Sequence, residues 1–92
     1  VVELWDWTLG PGDEHTSEEH TPATKELVHV HEGTVVVTVA DQAVTLEAGD
    51  AMAFPGDLAH SYANPNTTPA RFSLAVYEPG VGAGTRMEAS HD

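Results

Sequence analysis

The chain has 92 residues and a mass of 9.8 kDa, which is enough for one domain with one hydrophobic core. Fifteen acidic residues stand against three basic ones, Lys25, Arg71 and Arg86, and give a formal net charge of −12. Because phosphate groups need cationic partners, we expect neither nucleic-acid binding nor attraction to an anionic membrane. The absence of cysteine excludes disulfides and thiolate metal sites.

The apolar residues alternate with a period of two along most of the chain, which is typical of β-strands. Turn residues, mainly glycine, proline and asparagine or aspartate, separate the alternating segments. No segment has the period of an amphipathic helix. The predicted strands are, in chain order, Val2–Leu9, Glu26–His31, Thr34–Ala40, Ala43–Leu46, Ala51–Phe54, His60–Asn64 and Arg71–Glu78.

Two segments carry no strand pattern. The stretch 13–25 is polar and acidic, so we predict a long loop there. The stretch 80–92 begins with several glycines and is predicted to be a flexible tail, which leaves 1–79 as a single domain. The chain begins at Val1 without a methionine, and we therefore expect it to be part of a longer protein.

Three polar side chains are candidates for one site. Short strands separated by frequent turns indicate a β-sandwich or a small barrel. Glu26 shares a strand face with the apolar Val28 and Val30, so its carboxylate should lie on the core side, at the mouth of such a barrel. His60 begins another strand, and His20 lies at the end of the acidic loop. Two imidazoles and one carboxylate suit a divalent transition metal such as zinc, iron, manganese or nickel. The same three residues could equally form a polar cluster that orients a small ligand without a metal.

The segment from Gly49 to Asn64 resembles the second motif of the cupin superfamily, G-x5-P-x-G-x2-H-x3-N. Gly49, Pro55, His60 and Asn64 fall in place, whereas Asp57 stands where the family often has glycine. Glu26 and the glycine seven residues later match the end of the first cupin motif, G-x5-H-x-H-x3,4-E-x6-G. The resemblance covers about residues 3–79 and implies an all-β jelly-roll barrel, also called a double-stranded β-helix, with little or no helix.

The first motif departs from the family pattern at its histidine pair. His20 occupies either the first or the second histidine position, depending on the spacer, and the other position is Pro22 or Glu18. The ligand set that the family usually has, three histidines and one glutamate, is thus reduced to His20, Glu26 and His60. His15 lies in the same loop and is a candidate fourth ligand.

A finer resemblance concerns the run from Glu3 to Leu9, the block from His20 to Val28 and the turn at Ala63-Asn64-Pro65. These are similar to the C-terminal sensor domain of bacterial helix-turn-helix–cupin transcription regulators of the XRE type. The resemblance implies a cytoplasmic domain that binds a small-molecule effector, while a helix-turn-helix domain absent from this chain contacts DNA. The alternative is a small metal-dependent cupin enzyme, such as a dioxygenase, isomerase or lyase, and a third interpretation is a dimerisation domain that binds no ligand.

Other residues have structural interpretations. Met52, Phe54, Tyr62 and Phe72 are predicted to lie in the barrel interior, and those near the mouth are candidate ligand contacts. His29 and His31 share the strand face opposite to Glu26, so they are predicted to lie on the outer surface. Trp5 and Trp7 share one face of the first strand and are expected to be packing residues rather than ligand contacts; if that face is the outer one, it would suit a subunit contact. Because so small a core is marginal alone, we predict a homodimer.

Overall fold

The computed structural model describes residues 1–79 and folds them into eight β-strands. The strands are β1 (Val2–Leu9), β2 (Glu14–Ser17), β3 (Lys25–Glu32), β4 (Thr34–Val39), β5 (Gln42–Glu47), β6 (Ala51–Pro55), β7 (His60–Ala63) and β8 (Ala70–Tyr77). Seven of them agree with the predicted strands to within a residue at either end. Within residues 1–79 there is no helix, and accordingly none that could cross a membrane. The predicted tail at 80–92 lies outside the described residues.

The strands form two antiparallel four-stranded sheets, in the orders β1-β8-β3-β6 and β2-β7-β4-β5. Successive strands from β1 to β4 alternate between the sheets, and the chain later crosses back at β6, β7 and β8. This arrangement confirms the predicted all-β jelly-roll barrel. The core lies between the inner faces of the two sheets, where strict alternation buries every second residue. Its largest apolar members are Phe54, Tyr62, Phe72, Leu74, Leu9 and Leu46.

One segment of the predicted loop is a strand. β2 pairs with β7, and this register places His15 opposite Tyr62 and Ser17 opposite His60. The prediction of a continuous loop was therefore wrong. β2 is an exposed edge strand that backbone hydrogen bonds to β7 hold in place. Such a strand needs no alternation of apolar residues, so the sequence pattern did not reveal it.

The first strand turns its tryptophan face inward. Trp7 packs against the core and Leu9 is buried in it, so the odd-numbered residues of β1 point inward. Val2 and Leu4 on the outer face are 71% and 76% exposed. Trp7 is thus a packing residue, and the outer position considered for a subunit contact carries Val2 and Leu4 instead. Both faces of β1 carry apolar residues, so alternation alone does not say which one is buried.

The Asn64 side chain and the Gly33 backbone hold the loops that close the barrel. The Asn64 side chain is 1% exposed, and its Nδ2 donates to three carbonyl oxygens, those of Leu9, Gly10 and Thr68, at 2.8–3.1 Å. Its Oδ1 accepts from the backbone N–H of the residue two positions later. Gly33 turns the chain from β3 to β4 with a φ of +75°, and a Cβ there would lie 2.8 Å from the Pro69 carbonyl oxygen.

Candidate functional site

The three predicted site residues meet at one end of the barrel. The Nε2 atoms of His20 and His60 lie 3.1 Å and 2.9 Å from Oε2 of Glu26. One donor atom from each of these residues falls within 4.8 Å of the others, and they form the one such group of three found among residues 1–79. The Glu26 and His60 side chains are buried, whereas the His20 side chain is one-third exposed.

The fold positions each of these side chains by a different device. Glu26 lies on the inner face of β3, two residues before Val28, and His60 is the first residue of β7. The backbone N–H of His20 donates to the Gly56 carbonyl at 3.0 Å. Gly56 itself is buried against the site, and a Cβ there would lie 3.0 Å from Glu26 Oε2. The glycine therefore allows the loop before β7 to lie directly against the carboxylate.

Tyr62 holds the other oxygen of the carboxylate. Its hydroxyl donates a short hydrogen bond to Glu26 Oε1, deep in the core. Burial raises the pKa of the Tyr62 phenol far above its ordinary value, and the hydrogen bond to Glu26 and the charge of that carboxylate raise it further. The phenol consequently keeps its proton at every physiological pH and fixes the orientation of the carboxylate. Sequence reasoning placed Tyr62 in the interior for its ring and missed the role of its hydroxyl.

The second carboxylate oxygen of Glu26, Oε2, lacks a hydrogen bond. The Nδ1 of His60 donates to the Leu58 carbonyl at 2.7 Å, because a carbonyl oxygen can only accept. In the neutral imidazole Nε2 then carries a lone pair directed towards Glu26 Oε2. These two buried atoms approach to 2.9 Å, but the angle is not that of a hydrogen bond, and both remain without a hydrogen-bond partner. Two facing acceptors are stabilised by a cation between them.

The donor set fits a divalent transition metal. Two imidazole nitrogens and one carboxylate on one side of an ion leave its other positions open, as in the facial triads of non-haem metal sites. The contacts of Tyr62 and Leu58 would orient the ligands from behind. A bound metal would supply Lewis acidity and open coordination positions for a small molecule. Glu26 and the two histidines would hold it.

A cavity of about 190 Å³ adjoins the site. Its walls include Trp5, Trp7, His15, His20, Glu26, Tyr62, Leu74 and Val76, and Glu3 and Glu78 lie at its rim. His15 contacts the rings of Trp7 and Tyr62, with centroid distances of 4.5 Å and 6.3 Å. It does not join the three-residue group.

The predicted ligand contacts divide into two sets. Tyr62 lines the cavity. Phe54 and Phe72 are buried in the core, and Met52 packs at its edge, so none of these three contributes to the cavity wall. Sequence reasoning instead missed Trp5 and Trp7. The signal that could have found them is Leu9, which shares their strand face and whose burial places that face inside.

His29 and His31 lie on the outer face of β3, as the alternation predicts. Their rings are in edge contact at a centroid distance of 4.7 Å, and His31 Nε2 lies 2.6 Å from the Ser73 hydroxyl. Val28 and Val30, which alternate with them, are fully buried. The pair is therefore separated from the Glu26 site by the sheet itself.

Comparison with known protein families identifies the family of this chain. The family model described as "Cupin domain" matches residues 5–77, which is most of the sequence. The chain belongs to the cupin family. No curated protein sequence matches it.

Solved cupin structures include two bacterial regulators. One is the cupin domain of an XRE family transcriptional regulator from Enterobacter cloacae, with a TM-score of 0.82 and 26% identity over 85% of this chain and 82% of that one. The other is an HTH_3 family transcriptional regulator from Vibrio cholerae, with a TM-score of 0.80 and 31% identity over 85% of this chain. This chain spans 43% of the Vibrio protein.

The cupin fold also extends to a protein described as an enzyme. A predicted oxalate decarboxylase from Thermotoga maritima has a TM-score of 0.69 at 20% identity, over 79% of this chain and 63% of that one. At this identity the likeness concerns the fold alone. The cupin domain described here is thus related to regulator domains by sequence and fold, and to a wider set of cupins by fold.

Proposed function

We propose that this cupin is the effector-binding domain of a transcriptional regulator and that His20, Glu26 and His60 hold a divalent transition metal beside the effector. The observation that carries the proposal is the buried, unpartnered Oε2 of Glu26, which faces both imidazoles at the edge of the cavity. The similarity to the Enterobacter and Vibrio regulators supports the sensor role. In this proposal a helix-turn-helix domain outside this chain contacts DNA in the cytoplasm.

Metal binding is tested by elemental analysis of untagged protein after dialysis against zinc, iron(II), manganese or nickel. We expect close to one equivalent in the wild type and a large loss in His60→Ala and Glu26→Gln. The matched control is His29→Ala, which removes an outer-face imidazole and should leave the content unchanged. Less than a tenth of an equivalent in the supplemented wild type refutes the metal. Metal retained by both site variants refutes the ligand assignment.

Effector binding is tested by thermal unfolding against a panel of small metabolites that differ in charge. A ligand at a hundred times its Kd stabilises the folded state by about 2.7 kcal/mol, and for a domain of this size that raises Tm by roughly 10–20 °C. A panel that gives no shift with either metal-free or metal-loaded protein contradicts the sensor role.

The second candidate is a metal-dependent enzyme, and the open side of the two-histidine, one-carboxylate set favours it. Each compound that stabilises the protein is incubated with the metal-loaded form and followed by mass spectrometry. A sensor returns the compound unchanged. Conversion that Glu26→Gln abolishes would establish the enzyme instead.

We further propose that a second copy of the chain covers the outer face of the sheet β1-β8-β3-β6. Val2, Leu27 and Tyr77 are exposed there and line a mainly apolar groove with Lys25, and the exposed Leu4 lies on the same face. Two copies with a charge of −12 repel each other. The charges of this face are Lys25 and the Arg71–Asp6 ion pair, so it carries no excess of negative charge and is a surface on which two copies can approach. Light scattering at micromolar concentration should give twice the chain mass, and Leu27→Glu should give a monomer. A wild-type monomer refutes the dimer.

A further inference from the structure

The cavity beside the metal-ligand residues has an acidic rim. On the inner face of the first sheet, Glu3, Val76 and Glu26 lie in one row across β1, β8 and β3. Two strand spacings separate the two glutamates, or about 10 Å between their backbones. Glu78 closes the third side, with Oε2 at 3.8 Å from His20 Nδ1. Three carboxylates therefore surround an apolar floor made by Val76.

The side chains that line the cavity include no lysine or arginine among the described residues. The Val1 ammonium donates to the Glu78 backbone carbonyl at 3.1 Å and is not among the residues that line the cavity. Arg71 lies on the outer face, at 3.7 Å from Asp6 and 3.6 Å from Glu32. Even with a divalent metal at the histidines, the three carboxylates leave the lining of the cavity with one net negative charge. An anionic ligand would be repelled at such a site, whereas a cationic ligand would be attracted.

The same cavity presents aromatic faces. Trp5 is half exposed, and its indole N–H donates to Glu3 Oε1 at 3.1 Å, which places a carboxylate next to the ring. Trp7 is held by Phe72, at a centroid distance of 6.0 Å with nearly parallel rings. Indole faces attract organic cations, and a carboxylate beside the indole adds charge to that attraction. Tryptophan beside glutamate is thus suited to an alkylammonium group.

The site is built rather than being an exposed acidic patch. Glu26 lines the cavity, its side chain is 1% exposed, and its Oε2 has no hydrogen-bond partner. The volume of about 190 Å³ is below the roughly 300–1,000 Å³ of pockets that hold drug-sized ligands. Both properties point to an occupant that is small and that carries a cationic or metal-binding group.

We propose that the effector is a small alkylammonium cation, held by Trp5 and Trp7 with Glu3 and Glu78 as its counter-charges. The inference rests on the proposed effector-binding function and specifies the chemical class of its ligand. The metal-ligand residues would contact the other end of the molecule.

The two tryptophans of the sequence both line the cavity, so all tryptophan fluorescence reports on it. The probe is choline, whose quaternary nitrogen has no lone pair and cannot coordinate a metal. Its uncharged counterpart of the same shape is 3,3-dimethylbutan-1-ol, and butyrate is the anionic probe. Titrations use metal-free and zinc-loaded protein in about 0.15 M salt, where distant charges are screened. We expect saturable choline binding that is about tenfold tighter than binding of the alcohol.

Charge variants locate the counter-charges. Glu3→Gln and Glu78→Gln should each weaken choline binding about threefold to tenfold. The matched control is Glu47→Gln on β5, which changes the net charge equally and lies outside the cavity. It should leave the Kd within about twofold, because a uniform attraction to an acidic protein is screened at this salt concentration.

Three results overturn the inference. The first is equal binding of choline and the alcohol, the second is tighter binding of butyrate, and the third is the same loss in Glu47→Gln as in the cavity variants. Tight butyrate binding would reject the cationic ligand class and yet retain the effector pocket. The proposed function itself fails in separate experiments, the elemental analysis and the thermal-unfolding panel, so the two failures are distinguishable.

Discussion

Replacing Tyr62 by phenylalanine removes one hydroxyl from the centre of the site and leaves the ring in place. The buried Glu26 carboxylate then loses the donor to Oε1. A hydrogen bond to a charged group contributes about 1.5–3 kcal/mol, so we expect a loss of about 2 kcal/mol at pH 8. For a domain of this size, each kcal/mol lowers Tm by about 4–8 °C.

The pH dependence separates this hydrogen bond from a simple packing defect. The pKa of Tyr62 is raised in the folded protein, so the folded state keeps its phenolic proton above about pH 10 while the unfolded state releases it. The stabilisation is therefore complete below pH 10 and is lost as pH rises, by up to about 1.4 kcal/mol per pH unit. At pH 11 the difference between wild type and Tyr62→Phe should shrink from about 2 to about 0.6 kcal/mol.

The assay is urea unfolding followed by circular dichroism at pH 8, 10 and 11 on metal-free protein. Groups common to both proteins cancel in the difference. The control is Tyr77→Phe, since that tyrosine is 46% exposed and should show neither the loss at pH 8 nor a changing difference. A wild-type advantage that stays constant from pH 8 to pH 11 would refute the argument that the buried phenol donates to the carboxylate.

Three further substitutions test the supports of the barrel and of the site. Asn64→Ala should cost about 3 kcal/mol in urea unfolding, because buried backbone groups lose their partners; a cost below about 1 kcal/mol would contradict this. Gly33→Ala should lower the free energy of unfolding by at least 2 kcal/mol more than Gly12→Ala, since both glycines have a φ near +75° but only a Cβ at Gly33 crowds a carbonyl. Equal losses in the two variants would show that backbone strain alone accounts for them. Gly56→Ala should weaken metal binding about tenfold by displacing Glu26, and unchanged metal affinity would show that the loop yields.

Much of the fold is predictable from the sequence because the two-residue period is strong where one face of a strand is buried. β4 alternates valine in the core with half-exposed residues, and β8 alternates in the same way. β2 could not be predicted, because its four residues are polar and its stability comes from backbone pairing with β7. The orientation of β1 could not be predicted either, because Val2 and Leu4 outside are as apolar as the tryptophans inside.

The three residues of the candidate site could be predicted from the sequence, whereas the side chains that contact them could not. The spacing of Glu26 and His60 in two motifs predicts that they meet, and the structure brings them together with His20. The hydroxyl of Tyr62 and the carboxylate of Glu78 could not be predicted. Tyr62 reaches the site from β7 in the opposite sheet and Glu78 from just beyond the end of β8. Both are far from Glu26 in sequence, and no local pattern records such contacts.

The acidic residues of the chain differ in burial and in role. Glu47 on β5 and most acidic residues of the loops are exposed to solvent. Glu26 is different because it is buried, and a buried carboxylate must be neutralised by hydrogen bonds and a nearby cation. Tyr62 supplies the hydrogen bond, while nothing among residues 1–79 supplies a permanent positive charge at Oε2. A metal at the histidines would complete the site, so metal binding and stability should be coupled at this residue.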